Sequence, residues 1–373
     1  MSAGIYIHIP FCVKKCSYCD FYSIPYNDVT ARSYLEALIK EIASSKYHPS
    51  SVDTIYIGGG TPSLFKPGEI SAILNAVSKS YSIASSAEIS MEINPGTVKR
   101  KILKEYKDIG INRLSIGVQS LNDEALRLLG RIHTAEEART TIRDAGLVFQ
   151  NLSVDLIYGI PGQGRNVFEN TLREVLSYQP KHLSCYELTL ERGTPLYNLV
   201  QRGFVKLKDD LEVEGEYFFL LNEIEKHGFI HYEISNYALP GYQCRHNLKY
   251  WQREEYLGFG ASAHSFYSNR REENISDVHL YIKGIQSNKP VRLKSQVLTL
   301  EDSLKERIFL GLRMKEGLSL EHIPLTTKKI HQLFGSEYIK VENNRISLTP
   351  RGMLLSNSIL SKLFAIIEGE TKG

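Results

Sequence analysis

The sequence predicts an α/β protein: a parallel sheet assembled from six βα units, followed by a small winged-helix-like unit at the carboxyl end. Three observations predict it. Strand-like runs alternate with amphipathic helical spacing six times between residues 5 and 188, and such alternation demands parallel strands joined by right-handed crossovers. Several of these runs stop at glycine clusters or Asn-Pro. The alternation then ceases near residue 210, and from about 297 short helices surround two short strands. An open doubly wound sheet and an open (β/α)6 barrel both satisfy this pattern.

Taken in order, Ile5–Ile9 is a β-branched and aromatic strand. Leu35, Leu38, Ile39 and Ile42 mark an amphipathic helix. Val52–Ile57 is the second strand, stopped by Gly58-Gly59-Gly60, and Ile70, Ile73, Leu74 and Val77 repeat the helical spacing. Ile89–Ile93 is the third strand, with a helix expected over Val98–Ile109 and ended by Gly110. Arg113–Val118 is the fourth. A short helix (Glu124–Leu129) and a longer one (Ala135–Phe149, N-capped by Thr134) follow it. Leu152–Tyr158 and His182–Leu188 complete the set around a helix at Val167–Ser177. Beyond them, Asp209–His227 reads as a helix and Phe229–Tyr237 as one alternating strand. The terminal unit carries a helix at Leu304–Met314, two short helices, two strands joined by Asn343-Asn344 and a final helix from about Pro350. The expected divisions are therefore 1–210, 211–296 and 297–373.

Composition narrows the function classes. At 42% hydrophobic and 23% charged over 373 residues, the chain is not disordered, collagenous or a small disulfide scaffold. A net charge of +3 gives no basic field for nucleic acid, and the mixed charges of the terminal unit argue against DNA contact there. No apolar run approaches a membrane span, and the amino terminus lacks the basic flank of a secretory signal. Five cysteines, three of them within Cys12–Cys19, suggest metal or redox chemistry in a reducing compartment, with the cytoplasm the expected location.

Cys12-x3-Cys16-x2-Cys19 lies in the loop after the first strand. Zinc usually takes four ligands from two separated pairs, and no fourth ligand stands nearby. A [4Fe–4S] cluster held by three thiolates keeps one iron open for a reacting ligand. Parallel α/β folds bind ligands at the carboxyl ends of their strands. Gly58–Thr61, Glu92, Asn94, Gln119 and Asp155 all lie at or near those ends, with Arg131 in the connection that follows. Taken singly, each is an ordinary turn glycine or a surface polar group; together, beside three cysteines, they describe a site. Glu92 suits an ammonium, Arg131 a carboxylate, and Gln119 and Asp155 a ribose.

The cysteine motif and the glycine-rich second strand end resemble the radical S-adenosylmethionine (SAM) superfamily. Tyr6–Cys12, Gly58–Ser63, Met91–Pro95, Ser115–Ser120, Gly130–His133 and Asp155–Pro161 are similar to the oxygen-independent coproporphyrinogen III oxidase-like (HemN-like) family. The resemblance implies an open (β/α)6 radical-SAM partial barrel with a winged-helix-like HemN-type terminal domain. It also implies a [4Fe–4S] cluster on Cys12, Cys16 and Cys19, with SAM contacted by Tyr6, Tyr18, Gly59, Gly60, Thr61, Glu92, Gln119, Arg131 and Asp155. An electron donor is a further partner it admits.

Within that family two branches differ. The oxidase carries another cysteine two residues after the third and an extension before the first strand; here Asp20-Phe21 follows Cys19, and few residues precede Ile5. His246-Asn247-x-x-Tyr250-Trp251 resembles instead the HNxxYW signature of the heme-chaperone branch. The resemblance thus implies heme and heme-accepting proteins as partners, with His246, or else Cys244, beside the heme iron. Oxidative decarboxylation of coproporphyrinogen III is the alternative activity.

Overall fold

The computed structural model describes residues 2–323 and 325–370; residues 1, 324 and 371–373, the last four within the expected terminal unit, lie outside it. Six strands form the centre: β1 (Ser2–Ile9), β2 (Ser51–Gly59), β3 (Ile83–Ile93), β4 (Arg113–Gln119), β5 (Asn151–Tyr158) and β6 (His182–Glu187). They pair in parallel and in strict chain order. This order decides between the two architectures left open by periodicity. A doubly wound sheet reverses its order at a switch point. Here nothing reverses among the six, so every right-handed crossover returns on the same side, and the open barrel results.

The crossovers are α1 (Asp28–Ala43), α2 (Pro67–Ser80), α3 (Arg100–Asp108), α4 (Asp123–Leu128), α5 (Ala135–Gly146) and α6 (Arg165–Ser177). Strand alternation sorts the two faces. Ile5, Ile7 and Ile9 of β1 are fully buried with Leu38, Ile42 and Ile70 of the helices, while Tyr6 and His8 point to the inner face. Burying one such isoleucine contributes about 1.5–3 kcal/mol.

After α7 (Pro195–Gln201) and α8 (Asp210–Lys226), the segment 211–296 extends the same sheet at both sides. On one side β7 (Ile230–Glu233) and β8 (Asn236–Ala238) add antiparallel to β6. This corrects the single strand expected over Phe229–Tyr237. The chain reverses at Ile234-Ser235, where Glu233 accepts the Ser235 amide at 3.2 Å and Ile234 donates instead to the Arg313 carbonyl. On the other side, beyond α9 (Arg245–Trp251), β9 (Tyr256–Phe259) pairs parallel with β1. The strands β10 (His264–Tyr267), β11 (Arg270–Asn274) and, after α10 (Val278–Gln286), β12 (Arg292–Val297) continue antiparallel. The full order is β12-β11-β10-β9-β1-β2-β3-β4-β5-β6-β8-β7.

The terminal unit has its own core, including Ile308, Leu312, Ile330, Ile339, Ile346 and Leu363. Helices α11 (Leu300–Gly311), α12 (Thr327–Phe334), α13 (Pro350–Leu354) and α14 (Ser356–Glu370) pack around β13 (Leu318–Ser319), β14 (Ile339–Glu342) and β15 (Arg345–Leu348). The expected Asn343-Asn344 turn is present, both residues left-handed at φ 50° and 59°, as a two-residue hairpin requires. The third strand, β13, pairs with β15; at two residues it is too short to show a period.

Candidate cofactor site at the strand ends

The cysteine loop is fastened at three places. Phe11–Cys12 pairs in parallel with Ile24–Pro25, closing the loop on itself. Ser17 donates its amide to Leu129 O at 2.9 Å and its hydroxyl to Leu128 O at 2.6 Å, docking the loop on the end of α4. Leu196 at the start of α7 donates to Ser17 O. All three thiols are part-exposed and open on one cavity of ≈ 440 Å³ at the carboxyl ends of the strands. Tyr18, Gly59, Gly60, Thr61, Glu92, Gln119, Arg131 and Asp155 line the same cavity. Eleven of the thirteen sequence-predicted site residues therefore meet there. Tyr6 and His246 do not.

A chain of polar contacts surrounds the loop. Thr61 Oγ1 lies 3.6 Å from Cys12 Sγ and accepts from Asn94 Nδ2 at 3.0 Å; Asn94 Oδ1 accepts from Arg131 at 2.7 Å; and Arg131 also reaches Cys16 Sγ at 3.6 Å. Arg131 is turned into place by the Gly117 carbonyl. Its Nε stays buried without a partner, an orphan donor consistent with an anionic ligand. Burial works against its charge, but Tyr18 and Cys16 outweigh that and raise its pKa.

Glu92 accepts from Tyr56 Oη at 2.9 Å and from the Gly59 amide at 3.0 Å. Burial, with Asp155 adding repulsion, lifts its pKa to about 7 against those two bonds and Arg113. Asp155 is held by Ser115 Oγ at 2.9 Å and is likewise raised, by burial first. Gln119 sits at φ 67°, where the register between β4 and β5 slips; a non-glycine residue there is strained backbone at a functional edge. Tyr56 was not among the expected residues. Its only sequence signal is an inward-facing tyrosine two places before the glycine run.

Among the described residues no three Cys, His, Asp or Glu side chains converge on a point fit for a single metal ion. The thiols stand around a cavity instead, which suits a cluster that takes one thiolate at each of three corners. Tyr6 lies one layer deeper, its hydroxyl 2.9 Å from His8 Nδ1. Burial lowers the pKa of His8 to about 4, so that ring is neutral. His246 is fully buried on α9 with both nitrogens engaged, Nδ1 by Thr54 Oγ1 and Nε2 by Tyr250 Oη, each at 2.8 Å. As placed, it presents no free nitrogen to an iron. Cys244, also fully buried, has its thiol at 3.6 Å from Glu88, and burial pushes its pKa up to about 12.

An open barrel with a triple-cysteine loop at its strand ends defines a radical SAM protein, and residues 6–175 match the Radical SAM superfamily profile, with 298–355 matching the HemN C-terminal domain. The fold is that of coproporphyrinogen III oxidase (HemN) from Escherichia coli, TM-score 0.80 at 23% identity, covering 97% of this chain and 90% of that one. Among relatives, heme chaperone HemW of Lactococcus lactis is 33% identical over 96% of both chains. HemW of Escherichia coli is 40% identical over 70% of this chain and 69% of its own. A mitochondrial radical SAM domain-containing protein 1 of Danio rerio is 31% identical, over 99% and 88%. The chain belongs to the HemW family of radical SAM proteins. The superfamily's cofactors, a [4Fe–4S] cluster and SAM, are therefore its cofactors. Among the described residues no helix is long and apolar enough to cross a membrane.

Proposed function

We propose that the protein is a heme chaperone: it holds a [4Fe–4S] cluster and SAM at the strand ends, binds heme, and delivers it to acceptor proteins in the cytoplasm. The observation that carries the cofactor reading is the connected run Cys12–Thr61–Asn94–Arg131–Cys16 around one cavity. The relatives' name, over nearly the whole length, supports the delivery of heme.

In this reading Cys12, Cys16 and Cys19 hold the cluster. The cluster would supply an open iron for the amino and carboxylate groups of SAM. Arg131 would pair with the carboxylate; Glu92 would accept from the amino group; Gln119 and Asp155 would bond the ribose; and the backbone of Gly59–Thr61 would lie alongside. The division at 1–210, 211–296 and 297–373 belongs to the same proposal, with the first segment carrying the cofactors. Likeness of fold to the oxidase favours decarboxylation of coproporphyrinogen III as the second reading. Asp20-Phe21 after the third cysteine counts against it.

The deciding experiment is anaerobic reconstitution followed by two assays. Heme titration should give a Soret band at one heme per chain, and heme should pass to a heme-depleted acceptor. The reduced, SAM-loaded protein should form no protoporphyrinogen from coproporphyrinogen III. Multiple turnovers of that product would reverse the order of the two readings. Replacing any one of the three cysteines by Ala should abolish the broad iron–sulfur absorption; full iron in all three variants would refute the ligand assignment.

A further inference from the structure

The HNxxYW segment is built as a plug on the inner face of the sheet. Glu88 accepts the Arg245 and His246 amides at 3.2 and 3.3 Å, and Lys249, itself buried, pairs with Asp53 at 3.0 Å. The imidazole is sandwiched among rings: Tyr56 at 5.4 Å between centroids and 26° between planes, Tyr6 at 6.4 Å and 29°, and Tyr250 edge-on at 5.0 Å. The fit leaves no slack. A Cβ on Gly4 would stand 2.9 Å from Thr54 Oγ1 and 3.0 Å from His246 Cε1.

Two routes lead from this plug to the cofactor cavity. Tyr56, stacked on His246, gives its hydroxyl to Glu92. Separately, the Cys244 amide donates to Tyr232 Oη at 3.3 Å; Tyr232 meets His182 Nε2 at 2.7 Å; His182 Nδ1 meets Ser153 Oγ at 2.7 Å; and Ser153 reaches Asp155 at 3.3 Å. Glu92 and Asp155 of the cavity are thus both tied to the segment Cys244–Trp251. The imidazole holds its neighbours through both nitrogens and has no exposed surface.

We propose that His246 is a positioning residue for the SAM cavity: by stacking on Tyr56 it fixes the hydroxyl that places Glu92. Heme is then bound without His246 as its axial ligand. The inference rests on Glu92 contacting SAM.

The test measures SAM affinity by calorimetry on the cluster-loaded protein, the SAM-induced change in the electron paramagnetic resonance of the reduced cluster, and the Soret band on heme titration. His246→Ala should weaken SAM by roughly threefold to tenfold, the scale of one aromatic pair. The resonance change should need correspondingly more SAM, while Soret position and heme stoichiometry stay as in the wild type. His246→Phe, which keeps a ring on Tyr56, should restore most of the SAM affinity. Gly4→Ala retains the imidazole but crowds it, so it should weaken SAM in the same direction even where His246→Ala does not fold. Glu92→Gln separates the two levels. If it weakens SAM while His246→Ala and Gly4→Ala do not, the coupling is refuted. If Glu92→Gln itself has no effect, the SAM assignment fails and this inference with it. A Soret band lost or shifted in both His246 variants would restore His246 as the iron ligand and overturn the proposal.

Discussion

Replacing Gly60 by Ala tests how the cysteine loop is held. Gly60 donates its amide to the Ile9 carbonyl at 2.8 Å, and this draws the end of β2 against the start of the loop. An added Cβ would stand 2.6 Å from Phe11 O, 2.8 Å from Phe11 N and 3.0 Å from Ile9 O. All three atoms are backbone, so no side chain can swing away. Ordinary contact begins at 3.4 Å, and the loop must retreat by about 0.8 Å. The next residue is Cys12. Metal–ligand distances tolerate only about 0.2 Å, so the displacement cannot be absorbed at the thiolate. Cluster affinity should fall by roughly 10–100-fold, and overpacking should cost about 1–3 kcal/mol of stability. Iron and sulfide content after anaerobic reconstitution, with a thermal melt of the same sample, measures both. Gly68→Ala is the control, because a Cβ there meets nothing within 4 Å. A Gly60→Ala protein with the iron content and Tm of the Gly68→Ala control would refute the reasoning.

Arg131→Ala should weaken SAM binding by roughly tenfold or more, the range of a hydrogen bond to a charged group. Arg131→Lys should recover little, because an ammonium cannot reproduce the guanidinium fork; wild-type affinity in both, by calorimetry, would contradict the carboxylate pairing. The raised pKa of Glu92, about 7, predicts a pH dependence of SAM binding. Below that value the carboxyl is protonated and no longer accepts as a carboxylate from the amino group of SAM, so affinity should rise roughly tenfold from pH 6 to pH 8. The rise should be absent in Glu92→Gln, and an equal slope in both proteins would exclude Glu92 as its source.

The strands of the barrel were legible because their β-branched runs stand between helices of plain 3.6-residue spacing. Their order was not, since periodicity is blind to which strand lies beside which. The four residues Tyr256–Phe259 are buried on both sides, so β9 shows no alternation, as expected of a parallel strand inside a sheet. The site was legible as residue types on a rim. What escaped were the contacts made far from any motif. Gly60 reads as room for a ligand, whereas its immediate neighbour is the Phe11 backbone. Tyr56 carries Glu92 without belonging to any punctuated segment. His246 stands out through the HNxxYW resemblance, but no local pattern shows that Thr54, nearly two hundred positions earlier, bonds its ring.

Strand β1 lies between β2, close by in the chain, and β9, more than two hundred residues away. Strand β1 leaves the ribosome before the other strands of this sheet, yet one of its two edges stays open until Tyr256–Phe259 has been synthesised. The strand that carries the cysteine loop therefore gains its second neighbour only after Leu129 and Leu196, which fasten the loop, have been synthesised. A product ending before residue 256 of the 373 would therefore keep an unpaired strand edge beside the cysteine loop.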